Sequence, residues 1–328
     1  MPDPVDIPSL TIGGRIQDSF LVLDVETRST ADGNPYTVLV LGNGTGRIST
    51  EPFWLDRQDQ IAGIRRGQIV QVIGEVATYR DRRQLKTISV RLLPDGLADP
   101  AGLLPSVGAV DRYWATLDGW RREIHKPRLA SVVDLFYDDD EFRRRYEQCP
   151  ASLRGHHAAI GGLLKHTTEV AAIARTIARA SGADQELVLA GVLLHDIGKL
   201  DSYSWRGVFE YTAAGSLVGH VVLGALMFDR RLRQEPEPPC TDAEREILLH
   251  LILAHHGRLE WGSPVLPLTL EAEVLHWADN ASAKTATLAE ALRDGENFPR
   301  GVISTPQRSL DFRRLFKGGS DWGATPPP

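Results

Sequence analysis

Val188-Leu-Ala-Gly-Val-Leu-Leu-His195-Asp196-Ile197-Gly198-Lys199 decides how the larger part of this 328-residue chain is read. An apolar run runs straight into a His-Asp pair, with Gly198 placed to act as the C-terminal stop of a buried helix. Desolvating a carboxylate without a partner costs several kcal/mol, so an Asp in that setting implies a cation, a salt bridge or a bound metal. Lys199 follows within one turn. It can meet a phosphate oxygen as a point charge, or stand solvated at a helix end favoured by the dipole.

Working outward, residues of metal-binding type recur in similar settings. Ile160 to Ala180 carries a stripe at Leu163, His166, Val170, Ile173 and Ile177, the three- and four-residue spacing of one helix face. His220 lies in GSLVGHVVLGAL, and Asp279 in EVLHWADN. Thr241-Asp-Ala-Glu244 is a capping-box pattern, starting a helix that reaches His255-His256. The chain has ten histidines, and the first 124 residues contain none of them. A core of satisfied histidines needs a separate hydrogen-bond partner for each, whereas one metal cluster satisfies them all. Mixed nitrogen and oxygen donors suit manganese, iron or another first-row divalent ion, and with less imidazole magnesium. His156 and His157 precede this set, where they can line a phosphate path or cap a helix. His276, three residues before Asp279, reads as a core or supporting residue.

Before these helices the chain reads differently. Ser19–Thr27, Tyr36–Leu41, Arg47–Phe53, Gln68–Ala77 and Gln84–Leu92 are short β-segments. They are separated by Asp32-Gly33-Asn34-Pro35 and Gly42-Asn43-Gly44-Thr45-Gly46, the turn chemistry that tight connections require. Five such strands suggest a small barrel. Asp95 to Asp111 mixes Gly and Pro without periodicity, as an interdomain connection does. The tail from Gly318 ends in three prolines and reads as disordered.

Composition excludes several classes. With 42% hydrophobic and 24% charged residues the chain can bury a sizeable core, and its length favours two domains. Cys149 and Cys240 stand far apart, which excludes a disulfide framework or a thiolate zinc site and fits a reducing compartment. The first residues, MPDPVDIPSL, carry acids and prolines rather than a signal peptide's basic stretch and apolar run. No apolar run approaches the roughly 20 residues needed to cross a bilayer. The net charge of -6 argues against nonspecific polycation binding. Leu10 to Leu93, however, carries 11 Lys and Arg against nine Asp and Glu.

His166, His195-Asp196 and Asp279 resemble the H…HD…D pattern of the HD superfamily of metal-dependent phosphohydrolases. His220 and His255-His256 resemble the subset with a second metal, which implies that Asp196 bridges two ions held by His166, His195, Asp196, His220, His255, His256 and Asp279. The HD enzymes that act on cyclic dinucleotides carry Gly-Tyr-Pro after the histidine pair, and GRLEWGSP stands here instead. From about Leu10 to Lys317 the whole chain resembles the YhaM family of 3'→5' exoribonucleases. The stretches that carry this include Gly161-Gly162-Leu163-Leu164, His166-Thr167, Leu194 through Lys199, Gly219-His220, His255-His256-Gly257, Gly262 through Pro267 and Ala278-Asp279-Asn280. More loosely, Gly44-Thr45-Gly46, Gly74-Glu75-Val76, Tyr79-Arg80 and Arg82 through Lys86 also match, while Ile48 to Trp54 departs by an acid and a proline.

That resemblance implies an α+β multidomain chain: a five-stranded OB-fold β-barrel at 1–95, a linker at 96–112, an all-α HD domain at 113–317 and a tail at 318–328. It implies catalysis by Asp196 and Lys199 with two divalent ions, manganese foremost and magnesium, iron or cobalt as alternatives. The implied substrate is single-stranded RNA, with single-stranded DNA left open, in a cytoplasmic protein without membrane contact whose homo-oligomerisation is open. OB-folds track a strand with basic side chains and stack bases on aromatics. The candidates are Tyr79, Arg80, Arg82, Arg83, Lys86, Phe53 and Trp54, which without the resemblance read as an ordinary edge hairpin and its neighbours. Two other functions stay in play: an HD nucleotidase or phosphatase with a regulatory barrel, and a non-catalytic single-strand-binding protein.

Overall fold

A computed structural model describes residues 4–79, 82–94, 96, 100–155, 157–205 and 207–319. Arg80, His156 and the tail from residue 320 lie outside the described residues.

The first half of the expectation is met strand by strand. β1 (Arg15–Ser29), β2 (Pro35–Asn43), β3 (Gly46–Thr50), β4 (Ile69–Tyr79) and β5 (Arg82–Leu92) close into a barrel of order β1-β2-β3-β5-β4. β3 and β5 pair in parallel, and β1 pairs antiparallel with both β2 and β4. This is an OB-fold. Period-2 alternation sends Phe20, Leu39, Leu41, Val70, Val72 and Leu85 fully inward. Gly74 marks a register shift between β4 and β5, where a Cβ would lie 2.7 Å from the Lys86 carbonyl oxygen. The third strand is shorter than the sequence suggests, because Pro52 breaks the ladder after Thr50.

The second half is helical: α1 (Asp111–Arg121), α2 (Pro127–Tyr137), α3 (Asp140–Tyr146), α4 (Gly162–Ser181), α5 (Gln185–Leu194), α6 (Lys199–Ser202), α7 (Ala213–Val218), α8 (His220–Gln234), α9 (Asp242–Ala254) and α10 (Leu270–Arg293). A two-stranded ribbon, β6 (Tyr203–Ser204) with β7 (Glu210–Tyr211), interrupts them. α5 is central. Every residue from Val188 to Leu194 is buried, as a helix apolar on all sides requires. Asp184 caps its start by accepting from Leu187 N. Tyr137 Oη donates to Leu193 O at 2.9 Å, tying α2 to its end. The capping box at Thr241 and Glu244 forms as expected and fixes where α9 begins.

Gly198 is not a helix stop. α5 ends at Leu194, and the chain continues through a right-handed turn in which Gly198 has φ -67°. Space rather than backbone conformation demands the glycine, since a Cβ would lie 2.0 Å from His220 O and 2.3 Å from Gly224 N. This close approach seats the start of α8 against the His-Asp turn.

The connection between the two parts is packed. Leu104 joins Leu21 and Ile69 of the barrel with Val208 and Phe209 of the helical part in one buried cluster. Arg66 spans the same seam, donating to Leu23 O and Phe209 O at 3.0 Å each and pairing with Glu210 at 3.1 Å. Val107 N donates to Ile160 O at 3.0 Å just before α4, so the segment read as a linker runs into the fold of the helical part.

Candidate metal centre

Five segments meet where α5 ends. α4 brings His166, the turn after α5 brings His195 and Asp196, the start of α8 brings His220, the end of α9 brings His255 and His256, and α10 brings Asp279. Asp196, His195, His166 and His255 are at most 1% exposed.

The two oxygens of Asp196 face opposite ways. Oδ2 lies 3.2 Å from His195 Nε2 and 3.6 Å from His166 Nε2, with Asp279 Oδ1 3.0 Å from that same His166 nitrogen. Oδ1 lies 3.4 Å from His220 Nε2 and 3.7 Å from His255 Nε2. Two groups of metal-type donors result, His166-His195-Asp196 and His220-His255-His256, each with ligand atoms within 4.8 Å of one another.

The outer nitrogens determine what the inner ones can do. His195 Nδ1 donates to Val192 O at 2.6 Å, His255 Nδ1 to Ile252 O at 2.7 Å, and His256 Nδ1 to Trp261 O at 2.9 Å. A carbonyl only accepts, so each Nδ1 carries the hydrogen and each neutral Nε2 presents a lone pair to the centre. His166 reaches the same tautomer by a longer route. Ser282 Oγ donates to Glu169 at 3.2 Å, which leaves that oxygen to accept from His166 Nδ1 at 3.2 Å.

Lone pairs therefore converge on one buried spot, and among the described residues His195 Nε2, Asp196 Oδ1, His220 Nε2 and His255 Nε2 have no hydrogen-bond partner. Orphaned buried acceptors are costly, and a divalent cation is the partner this donor set fits. Burial pushes the His220 imidazole down to about 3, and lowers His166 and His255 too, keeping them neutral. Burial opposes the charge on Asp196 and Asp279, but Lys199 beside the first and the His166 imidazole beside the second outweigh it and hold both carboxyls well below the usual range. At His195 burial acts downward, and the adjoining Asp196 overrides it and raises the pKa.

Lys199 settles one alternative. It is buried, and its Nζ donates to Asp196 Oδ2 at 2.6 Å, so it is not a solvated helix-end lysine. An open cavity of about 240 Å³ reaches this centre, lined by Asp196, Lys199, His220, His256, Asp279 and Asn280 among others.

Several residues singled out in the sequence go elsewhere. His157 is buried with φ 52°, and its Nε2 donates to Glu169 at 2.7 Å, which places it behind His166 in the chain that fixes that ligand's tautomer. His276 is buried and donates from Nδ1 to His255 O at 3.0 Å, the supporting position read for it. Phe53 is fully buried in the barrel core and is not a stacking surface, because after Pro52 the chain turns inward to bridge Thr37. Arg83 Nη1 donates to Ile7 O, Pro8 O and Leu10 O, so its guanidinium clasps the N-terminal segment. Arg82 and Lys86 are exposed, as are Tyr79 and Trp54, the last packed on Tyr36 at 5.0 Å between centroids. Glu169 and Ser282 were missed. The signal was their helical spacing, each three residues after a ligand, His166 and Asp279.

Helices converging histidines on two aspartates, Asp196 buried and Asp279 nearly so, define a class, and residues 163–284 match the HD domain family. The full chain is 31% identical over 310 residues to the 3'-5' exoribonuclease YhaM of Shouchella clausii, covering 93% of this chain and 94% of that one. Against the 3'-5' exoribonuclease YhaM of Bacillus subtilis it is 31% identical over 313 residues, covering 93% and 95%. The chain belongs to the YhaM family. The second OB-fold domain of replication protein A from Methanococcus maripaludis aligns with 27% of this chain and 91% of its own, at 20% identity and a TM-score of 0.20.

Proposed function

We propose that this protein is a divalent-metal-dependent 3'→5' exoribonuclease that removes nucleotides from single-stranded RNA, with the barrel presenting the strand. The observation that carries the reading is the set of partnerless lone pairs around Asp196, in a chain matched along nearly all its length by exoribonucleases. His166, His195, Asp196 and Asp279 hold one ion, and His220, His255 and His256 with the other oxygen of Asp196 hold a second. Manganese is the first choice for these mixed donors.

Bound there, divalent ions supply Lewis acidity, lowering the pKa of a coordinated water from about 15.7 towards neutrality and neutralising charge on phosphate oxygens. The protein does the rest. Asp196 faces both donor groups, the carbonyl-anchored imidazoles cannot rotate away, and Lys199 stays charged because Asp196 beside it outweighs the burial that opposes it. Lys199 lines the cavity, and there its ammonium meets a phosphate oxygen of the substrate on this reading. On the barrel, Trp54 and Tyr79 offer stacking faces, with Arg82 and Lys86 as backbone cations. Arg80 belongs to this reading by sequence alone. A reducing, cytoplasmic setting accords with two free cysteines, and among the described residues no helix is long and apolar enough to cross a membrane.

The test is 5'-labelled single-stranded RNA, with a DNA arm, incubated with protein and manganese beside Asp196→Asn. A ladder of shortened products that vanishes in the variant is expected. Turnover of mononucleotides without RNA shortening would replace the reading with a nucleotidase, and tight RNA binding without turnover with a non-catalytic binder.

A further inference from the structure

The wall of the metal cavity includes two large aromatic rings to which the hydrolytic chemistry gives no task, the buried Tyr203 and the exposed Trp261. Trp261 is 43% exposed and lines the same cavity as Asp196, His220, His256 and Asp279. It ends a short 3-10 turn, Leu259–Trp261, which Gly262 closes at φ 85°. Its own carbonyl accepts from His256 Nδ1, so the residue that carries the indole also orients a metal-type imidazole. Just beyond, the buried Ser263 hydroxyl binds back to Leu253 O at 3.0 Å and Val265 O at 2.8 Å. The ring is thus held at a set position relative to the donors, on a loop pinned at both ends.

Beside it stands a cation. Arg258 Cζ lies 4.8 Å from the Trp261 ring centroid, and this exposed guanidinium has no carboxylate partner among the described residues. An indole still 43% exposed although Arg258 lies over its ring and His276 packs 6.0 Å from it, beside a guanidinium without a carboxylate partner among the described residues, has the two components of a nucleotide subsite: apolar ring surface for a base and a charge for a phosphate.

We propose that Trp261 and Arg258 form the subsite for the 3'-terminal nucleotide, the indole stacking its base and the guanidinium meeting a neighbouring backbone phosphate. This rests on the exoribonuclease reading and adds the group that seats each successive end. Stacking suits an exonuclease that meets every sequence, because all bases offer a π-face whereas hydrogen-bond readout would select one.

The experiment uses the full-length protein with manganese and two 5'-labelled single-stranded RNAs, alike except that one ends in an abasic 3' nucleotide. For the wild type, removing the base is expected to raise KM roughly ten- to hundredfold. Trp261→Ala should raise KM on the ordinary RNA by a similar factor, with a smaller effect on kcat, and should no longer distinguish the two ends. Trp261→Phe should restore most of the discrimination. A Trp261→Ala enzyme that still distinguishes them as the wild type does overturns the subsite, as does one whose defect is weakened manganese binding measured calorimetrically. A wild type that shortens neither RNA overturns the exoribonuclease reading and the subsite with it.

Discussion

In the barrel the interior is built on Phe20, Leu39, Leu41, Phe53, Val70, Val72 and Leu85, and a polar residue buried with them, Thr50, is partnered, accepting from Leu39 N at 3.1 Å. In the helical domain the innermost helix delivers His195 and Asp196 into the interior, and four more histidines and a second aspartate close around them. An apolar interior is self-sufficient, and such a domain must work through its surface. A polar interior with unpartnered acceptors is stable only with something bound among them, so its function lies inside. On the proposed function the barrel is the presenting part and the helical domain the chemical one.

The widest separation between the two is expected from Asp196→Asn and Phe53→Ala. The first should lower kcat/KM on single-stranded RNA by about a thousandfold or more, several kcal/mol of transition-state charge stabilisation. The second should cost about 3–5 kcal/mol of stability in urea unfolding while leaving manganese affinity unchanged. Loss of RNA binding by Phe53→Ala at normal stability would return that ring to the surface and break the contrast.

A smaller effect probes the support of the centre. Glu169→Gln or Ser282→Ala should weaken manganese binding about ten- to hundredfold in a calorimetric titration, because either change releases the His166 tautomer. Unchanged affinity in both would show that His166 needs no such chain behind it.

The barrel surface gives the next step down. Trp54→Ala and Tyr79→Ala should each weaken RNA binding by about 1–3 kcal/mol in fluorescence anisotropy, with metal affinity untouched. Arg83→Ala should instead speed amide exchange at Ile7 to Leu10, since its guanidinium clasps that segment. A large loss of RNA binding in Arg83→Ala would make it part of the strand path after all.

Smallest is the effect at a purely structural ion pair. Burial pushes the Asp118 carboxyl up, but Arg143, donating to both its oxygens at 2.9 Å, outweighs this and lowers its pKa. A folded pKa below the unfolded value of about 3.9 contributes stability above that pH and loses it as pH falls through the folded value. Asp118→Asn should cost about 1 kcal/mol near pH 7, and the gap to the wild type should close in acid unfolding titrations.

These differences also explain what the sequence made legible. Strand alternation and the turn residues placed all five strands, because each signal is local. The ligand set was legible because histidines and aspartates amid apolar helix faces conflict with ordinary burial. Gly198 misled because its constraint comes from His220 and Gly224, residues more than 20 positions away that no local pattern exposes. Phe53 misled similarly: a Phe-Trp pair after a proline does not reveal which ring turns inward. The packing of Leu104 between the two domains was hidden by the Gly and Pro around it.

On the proposed function the lone pairs around Asp196 hold two divalent ions. Native mass spectrometry of the manganese-saturated protein, beside His220→Ala/His255→Ala and His166→Ala/Asp279→Ala double variants, tests it directly. About two ions per chain in the wild type and one fewer in each double variant are expected for two sites that share Asp196. A wild type that binds none, or double variants that keep both ions, would contradict it.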